Sequence, residues 1–305
     1  MKMLFLGAGG VGGYFGGRLV EAGADVTFLV RPARAERLQR DGLRIRSPFG
    51  DARLAVKTVT ADALAPEYDL VVLAPKAYDL DDAIAAVAPA VGERASVLPL
   101  LNGMAHMDAL DRRFGRERVL GGVAHIGAML DPDGAVRHLN ELHLLTAGGR
   151  DAPAARVAAQ FIALCERARF DAVLSDDIET SLWEKWVLLA TLAGITTLAR
   201  GSIGEIVATR DGERLVRRLH AECAAVAAAA GITIASRVHE RALAMLTQRG
   251  SAATASMLRD LQSGQRTEHD HVLGDMLARA GRSGQDAPLL AAAYCHLQVQ
   301  AARHA

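Results

Sequence analysis

The chain has 305 residues, half of them hydrophobic, with equal numbers of acidic and basic side chains. This length predicts two domains, and this composition is typical of a globular protein rather than a disordered one. The charge balance excludes the basic surface that nucleic-acid binding requires and offers no charged run for a membrane surface.

No segment of the sequence predicts secretion or a membrane span. The longest apolar stretch, residues 186–199, is shorter than the ~20 residues of a spanning helix, and the first apolar run ends too early for a signal peptide. The three cysteines, Cys165, Cys223 and Cys295, have no disulfide or metal-binding spacing. We therefore expect a cytoplasmic protein with no nucleic-acid or membrane partner.

Apolar runs in the N-terminal half predict strands that alternate with helices. The strands are expected at residues 3–6, 25–30, 70–74, 96–101 and 119–124, and helices at 33–41, 79–90 and 105–114. Alternating residues between 136 and 146 predict an antiparallel pair that closes the sheet, and a helix at 153–168 and a short strand near 172–174 follow. This order of elements predicts a mainly parallel, doubly wound sheet.

A glycine-rich turn follows the first predicted strand and opens a helix. It consists of Gly7, Ala8, Gly9, Gly10, Val11 and Gly12, which fits the GxGxxG pattern. The first glycine allows the tight turn, the second lets the backbone approach a pyrophosphate, and the third lets the helix pack on the strand. Because the pattern lies within the first βαβ unit, we expect a dinucleotide site rather than a purely structural turn.

After residue 175 the pattern is helical almost to the end of the chain. We therefore predict an α/β N-terminal Rossmann domain over residues 1–174, with a doubly wound and mainly parallel sheet. An all-α C-terminal domain is predicted over residues 175–305.

The end of the second strand indicates which dinucleotide is bound. An enzyme that uses NAD usually has an acidic residue there, whereas this chain has Arg31, with Arg34 nearby. An arginine suits the 2′-phosphate of NADP(H), and a solvated surface arginine is the alternative. Lys76 and Asn102 follow the third and fourth strands, where a cofactor contact, a surface lysine or ordinary Asn-Gly turn chemistry is possible.

Three groups in the helical half are candidates for catalysis or substrate binding. Lys185 lies on an apolar helix face, where desolvation lowers a lysine pKa and makes it a usable general acid, unless it extends to solvent. Glu268 is expected in a first helical turn, with a capping box between Thr267 and Asp270. Ser256 is expected on a polar helix face that could bind a carboxylate.

Two histidines, His269 and His271, flank Asp270. Residues two apart in a helix do not converge on one ion, and the sequence provides no third ligand at a suitable spacing. We expect no metal site.

These motifs, in this order, resemble those of the ketopantoate reductase (2-dehydropantoate 2-reductase) family. The resemblance spans nearly the whole chain and rests on the glycine-rich turn, Arg31 and five further segments. Those segments are Val72–Lys76, Leu101–Met104, Leu182–Trp186, Ser256–Asp260 and Arg266–Asp270. The resemblance implies reduction of 2-dehydropantoate to (R)-pantoate with NADPH, in the route to pantothenate and coenzyme A.

The same resemblance implies roles for individual residues. Lys185 would protonate the ketone oxygen and Glu268 would orient it, while also binding cofactor or substrate hydroxyl. Asn102 would bond near nicotinamide and substrate, and Ser256 would hold the substrate carboxylate. On the cofactor side, the resemblance implies contacts from Arg31, Lys76 and the backbone of Gly127.

The sequence departs from the family pattern four and eight residues after Lys185. Asparagines are frequent there in the family, whereas this chain has Leu189 and Ala193. A different 2-oxo acid, with a more apolar tail, is therefore an alternative substrate. Compensating hydroxyls from three nearby threonines are a second possibility; these are Thr191, Thr196 and Thr197. A non-catalytic NADP(H) sensor and a homodimer also stay open.

Overall fold

The computed structural model describes residues 1–303. The chain forms two compact units. The first consists of residues 1–101 and 106–179, and the second of residues 102–105 and 180–305. The main division thus falls between Glu179 and Thr180, a few residues after the boundary that the sequence analysis places at 174.

The first unit contains a parallel sheet of five strands. In chain order these are β1 (Lys2–Leu6), β2 (Asp25–Leu29), β5 (Lys57–Val59), β6 (Leu70–Leu73) and β7 (Ser96–Pro99). Their spatial order is β5-β2-β1-β6-β7, and every neighbouring pair is parallel. The carboxyl ends of all five strands therefore meet at one edge, where ligands of such sheets bind.

A second sheet of five strands belongs to the same unit. It consists of β3 (Leu43–Arg46), β4 (Ala52–Leu54), β8 (Gly121–Leu130), β9 (Val136–Gly148) and β10 (Asp171–Leu174). The order is β10-β9-β3-β4, and β8 pairs antiparallel with β9.

Two expectations for the strands differ in part from the structure. Residues 136–146, where an antiparallel pair was expected, lie within the single strand β9, and the antiparallel partner of β9 is β8. The predicted strand at 119–124 begins with a single parallel bridge between Val119 and Val97 of β7, and it then continues as β8, which pairs antiparallel with β9 in the second sheet. The fifth parallel strand is instead β5, which has three residues and whose side chains are exposed or half-buried.

Five helices accompany the sheets of the first unit. They are α1 (Gly10–Glu21), α2 (Pro32–Asp41), α3 (Leu80–Val91), α4 (Ala105–Phe114) and α5 (Ala152–Cys165). The glycines of α1 allow it to pack closely on both sheets. A Cβ on Gly16 would lie 2.9 Å from Phe28 in β2, and one on Gly17 would lie 2.7 Å from Ile45 in β3. This close packing fixes the helix that follows the glycine-rich turn.

The second unit is helical. Its helices are α6 (Ile178–Ala199), α7 (Ile203–Val207), α8 (Gly212–Ala229), α9 (Ser236–Leu246), α10 (Ser256–Gln262), α11 (Asp275–Arg282) and α12 (Pro288–Ala302). A π-helical turn at Asp270–Gly274 leads directly into α11. Among residues 1–303, no helix combines the length and apolar character that a membrane crossing requires.

The predicted fold class is confirmed. The first unit has a parallel Rossmann-type sheet flanked by helices, and the second consists of helices.

Candidate active site

The glycine-rich turn joins β1 to α1 at the carboxyl edge of the parallel sheet. Gly7 has a φ of +84°, which few residues other than glycine adopt, and its N–H donates to the Leu29 carbonyl at 2.9 Å. A Cβ on Gly12 would lie 2.8 Å from the Gly7 carbonyl oxygen, so the third glycine of the motif allows the helix to close on the turn.

The turn also leaves room for a phosphate group. A Cβ on Gly9 would meet nothing within 4 Å, and the first N–H groups of α1 have no intrahelical partners. An open backbone at a helix N-terminus is the usual setting for a pyrophosphate. The residues of this turn therefore fit a dinucleotide.

Two further cofactor candidates, Gly127 and Lys76, also belong to the first unit. Gly127 is at a β-bulge of β8, where its N–H donates to the Asn140 side chain at 3.0 Å. The next residue, Ala128, has its carbonyl oxygen 2.7 Å from where a Cβ of Gly10 would be. Lys76 is half-buried and follows β6, and β6 is paired with β1.

The two arginines after β2 have different environments. Arg31 is exposed and directly precedes α2. Arg34 is half-buried, and its guanidinium donates to the carbonyls of Ala8 at 2.9 Å and Gly134 at 3.1 Å. Arg34 therefore braces the glycine-rich turn, whereas Arg31 presents its charge to solvent.

A small pocket in the second unit contains most of the candidate catalytic residues. We call it the substrate pocket. Its lining residues are Asn102, Leu189, Ala193, Ala255, Ser256, Met257, Glu268 and Val272. Three of the candidates from the sequence, Asn102, Ser256 and Glu268, thus lie together, although Asn102 is far from the other two along the chain.

Lys185 lies on α6, one and two helical turns before the pocket residues Leu189 and Ala193. Its side chain is half-buried. Burial lowers the pKa of Lys185 to about 8, and the negative charge of Glu268 partly opposes this change. A lysine with this pKa exchanges its proton near neutral pH, which suits a general acid.

Glu268 is held beside the pocket by the start of a helix. Its side chain is buried, and its carbonyl accepts a bond from the Val272 N–H at 3.0 Å. The indole N–H of Trp186, next to Lys185 in α6, donates to the Val272 carbonyl at 2.9 Å. This bond holds the helix that carries Lys185 against the π-helical turn that follows Glu268.

The capping box expected at this helix is not formed. The Thr267 hydroxyl is paired with His269 Nδ1 at 2.8 Å, and the Asp270 carboxylate accepts a bond from the Tyr294 hydroxyl at 2.7 Å. In a capping box, the side chains of Thr267 and Asp270 would bond to backbone N–H groups. Here they are bonded to the side chains of His269 and Tyr294 instead. Glu268 itself is the last residue before the helix rather than a member of its first turn.

His271 contacts the segment that carries the pocket residue Asn102, a role that the sequence analysis did not assign to it. Its ring packs against Gly103, whose Cβ would lie 2.9 Å from it, and it hydrogen-bonds to the Asn102 backbone. Burial lowers the pKa of His271, and the charges of Glu268 and Asp275 partly oppose this change. The only signal in the sequence was its position three residues after Glu268.

The three threonines on α6 do not supply hydroxyls to the substrate pocket. Thr191, Thr196 and Thr197 are fully buried. Their hydroxyls donate to carbonyls one turn earlier in the same helix, at 2.6 or 2.7 Å. The alternative in which they replace the missing asparagines is wrong, because none of the three lines the substrate pocket and their hydrogens go to the backbone of their own helix.

No group of three metal-binding side chains is found within residues 1–303. His269 and His271, the two histidines that flank Asp270, instead contact Thr267 and the Asn102–Gly103 segment.

A dinucleotide-type glycine-rich turn, together with a lysine of lowered pKa on the helix that also lines the substrate pocket, is typical of a nicotinamide-dependent oxidoreductase. Comparison with known proteins supports this class. The family model described as ketopantoate reductase PanE/ApbA matches residues 3–149, and its C-terminal counterpart matches residues 177–301. The chain therefore belongs to the ketopantoate reductase family, as the sequence motifs predicted.

Individual relatives match the chain over most of its length. The protein called uncharacterized oxidoreductase YkpB from Bacillus subtilis is 36% identical, covering 98% of both chains. A 2-dehydropantoate 2-reductase from Halobacterium salinarum is 31% identical, covering 92% of both. The crystal structure of 2-dehydropantoate 2-reductase from Geobacter metallireducens is 29% identical with a TM-score of 0.87, covering 98% of this chain and 99% of that one.

Proposed function

We propose that this oxidoreductase reduces a 2-oxo acid with NADPH, and that Lys185 is the proton donor. The observation that carries the proposal is the half-buried Lys185, whose pKa is lowered to about 8, close to Glu268 and to a pocket lined by Asn102 and Ser256. Desolvated lysines paired with a carboxylate are found at catalytic sites more often than elsewhere.

The glycine-rich turn and Arg31 support NADPH as the cofactor. The backbone of residues 7–12 would hold the pyrophosphate, and the exposed Arg31 guanidinium would pair with the 2′-phosphate. Lys76 and Gly127 would make further contacts on the cofactor side. When bound, the cofactor supplies the hydride that reduces the carbonyl carbon.

The residues of the second unit would provide binding, orientation and the proton. Ser256 would hold the substrate carboxylate, and Asn102 would orient the carbonyl. Lys185 Nζ would transfer its proton to the carbonyl oxygen as negative charge develops there. Glu268 would keep the lysine protonated near neutral pH and hold it in position. General acid catalysis of this kind contributes roughly 10²–10⁴-fold to a rate.

The family relationship makes 2-dehydropantoate the first substrate to test. Relatives such as the Halobacterium salinarum protein are named 2-dehydropantoate 2-reductase. Reduction would yield (R)-pantoate, a precursor of pantothenate and coenzyme A.

The loss of NADPH absorbance after addition of a 2-oxo acid tests the proposal. We expect turnover that depends on both components, with NADH a poorer donor. The Lys185→Ala variant is the matched control, because it should bind NADPH while turning over far more slowly. Tight NADPH binding without turnover of any 2-oxo acid would instead identify a nucleotide-binding protein.

A further inference from the structure

We infer that the substrate pocket accepts a 2-oxo acid whose tail is a branched aliphatic group, in preference to one whose tail carries a hydroxyl. The inference rests on the proposed function, since it specifies the substrate of the same site. The observation behind it is that polar side chains form one part of the lining of the substrate pocket and aliphatic side chains form the rest.

One part of the lining is polar and suits the head of the substrate. Asn102, Ser256 and Glu268 supply an amide, a hydroxyl and a carboxylate. The carboxylate and ketone of a 2-oxo acid present three oxygen atoms, which need hydrogen-bond donors. The amide, the serine hydroxyl and Lys185 are such donors, whereas the Glu268 carboxylate, when ionised, only accepts.

The rest of the lining is aliphatic and suits the tail. Its side chains are those of Leu189, Ala193, Ala255, Met257 and Val272. Leu189 and Ala193 come from successive turns of α6 and form a continuous carbon surface on the face that also carries Lys185. Ala193 and Val272 are almost completely buried, so a tail that contacts them is removed from water.

The neighbouring threonine hydroxyls of α6 do not make this surface polar, because none of these threonines is among the lining residues. Those of Thr196 and Thr197 donate to the carbonyls of Leu192 and Ala193 at 2.6 Å. A hydroxyl on a tail that packs against Leu189 and Ala193 would therefore lose its water against carbon atoms. Burying a hydroxyl without a partner costs enough to reduce affinity roughly ten- to a hundredfold.

A matched pair of substrates tests the inference directly. 3,3-Dimethyl-2-oxobutanoate and 2-dehydropantoate have the same carbon skeleton and differ by one tail hydroxyl. We expect kcat/KM with NADPH to be about tenfold or more higher for 3,3-dimethyl-2-oxobutanoate. Equal values, or a preference for 2-dehydropantoate, would overturn the inference and leave the proposed reductase intact. No oxidation of NADPH with either compound would overturn the proposed function and this inference with it.

A variant pair tests whether the apolar wall sets the preference. Leu189→Asn places an amide in the substrate pocket at a half-buried position. It should shift the ratio of the two kcat/KM values up to roughly tenfold towards 2-dehydropantoate, the value of one new hydrogen bond. Leu192→Asn, also half-buried on α6 but outside the lining, should leave the ratio unchanged. An unchanged ratio in a folded Leu189→Asn variant would mean that this wall does not select the tail.

Discussion

Two opposing effects act on the ammonium group of Lys185. Burial disfavours the charged form, and the Glu268 carboxylate favours it. Burial is the larger effect, so the pKa falls to about 8 rather than staying near 10.5. The lysine is then still mostly protonated at neutral pH, yet releases its proton more readily than an exposed lysine would.

This pKa predicts how the rate of reduction depends on pH. Only protonated Lys185 can donate a proton, so kcat/KM for reduction should decrease as pH rises through about 8. Initial rates with NADPH between pH 6 and 10 would show this decrease. A rate that stays constant up to pH 10 would rule out Lys185 as the acid.

Glu268 should control the position of that decrease. Because its charge raises the pKa of Lys185, the Glu268→Gln variant should lose activity at a lower pH than the wild type. Glu268→Asp, which keeps the charge, serves as the matched control. If Glu268→Gln lowers the maximal rate without moving the pH profile, the carboxylate has a purely structural role.

Arg31 should distinguish NADPH from NADH. Hydrogen bonds to a charged group contribute about 1.5–3 kcal/mol, so Arg31→Ala should weaken NADPH binding roughly ten- to a hundredfold. NADH affinity should change little, since NADH lacks the 2′-phosphate. Fluorescence titration of both cofactors measures this, and equal weakening of both would assign Arg31 a different role.

Substitutions at two neighbouring glycines of the glycine-rich turn should have different effects, one on NADPH binding and the other on the stability of the fold. The backbone of Gly9 has φ −86° and open space around its Cβ position. Gly9→Ala should therefore fold normally while the new methyl group obstructs the pyrophosphate. A Cβ on Gly10 would lie 2.7 Å from the Ala128 carbonyl oxygen, so Gly10→Ala should destabilise the protein by about 1–3 kcal/mol. Thermal unfolding and NADPH titration of both variants would show whether the two effects separate.

The elements that the sequence predicted well are those with strong local patterns. The buried strands β1, β2, β6 and β7 and the helices between them follow from continuous apolar runs and from the glycine motif. The strands β3, β4 and β5 were missed because they are short and partly exposed, so they lack the continuous apolar run that marks β6 and β7.

The predictions that failed depend on contacts between distant segments. The antiparallel pair expected within 136–146 is instead formed between β9 and the earlier strand β8. The prediction of a Thr267 helix cap was wrong because the Thr267 hydroxyl is hydrogen-bonded to His269 Nδ1 instead. The convergence of Asn102 with Glu268 also depends on the fold, and only the family resemblance anticipated it.

We expect the free energy of unfolding of the protein to decrease in mild acid. His220 is buried, its Nε2 lies 3.1 Å from Nδ1 of His239, and burial lowers its pKa from 6.5 to about 4. The unfolded chain therefore binds a proton that the folded state does not, and stability falls as pH decreases from about 6.5 to 4, by roughly 3 kcal/mol at most.

Urea unfolding followed by tryptophan fluorescence would measure this effect. Both tryptophans, Trp183 and Trp186, lie in the second unit together with His220. The His220→Gln variant keeps a hydrogen-bonding group but cannot titrate, so it should lose less stability between pH 6.5 and 4. An equal loss in both proteins would attribute acid sensitivity to other groups.

The second unit includes residues 102–105, which lie far upstream of its other residues in the chain. A chimera that exchanges only residues 180–305 between two homologues would therefore leave the recipient's own residue at position 102. One wall of the substrate pocket would then come from a different parent than the rest. Recombination in this family should consequently preserve activity best when the short upstream segment is inherited together with the helices.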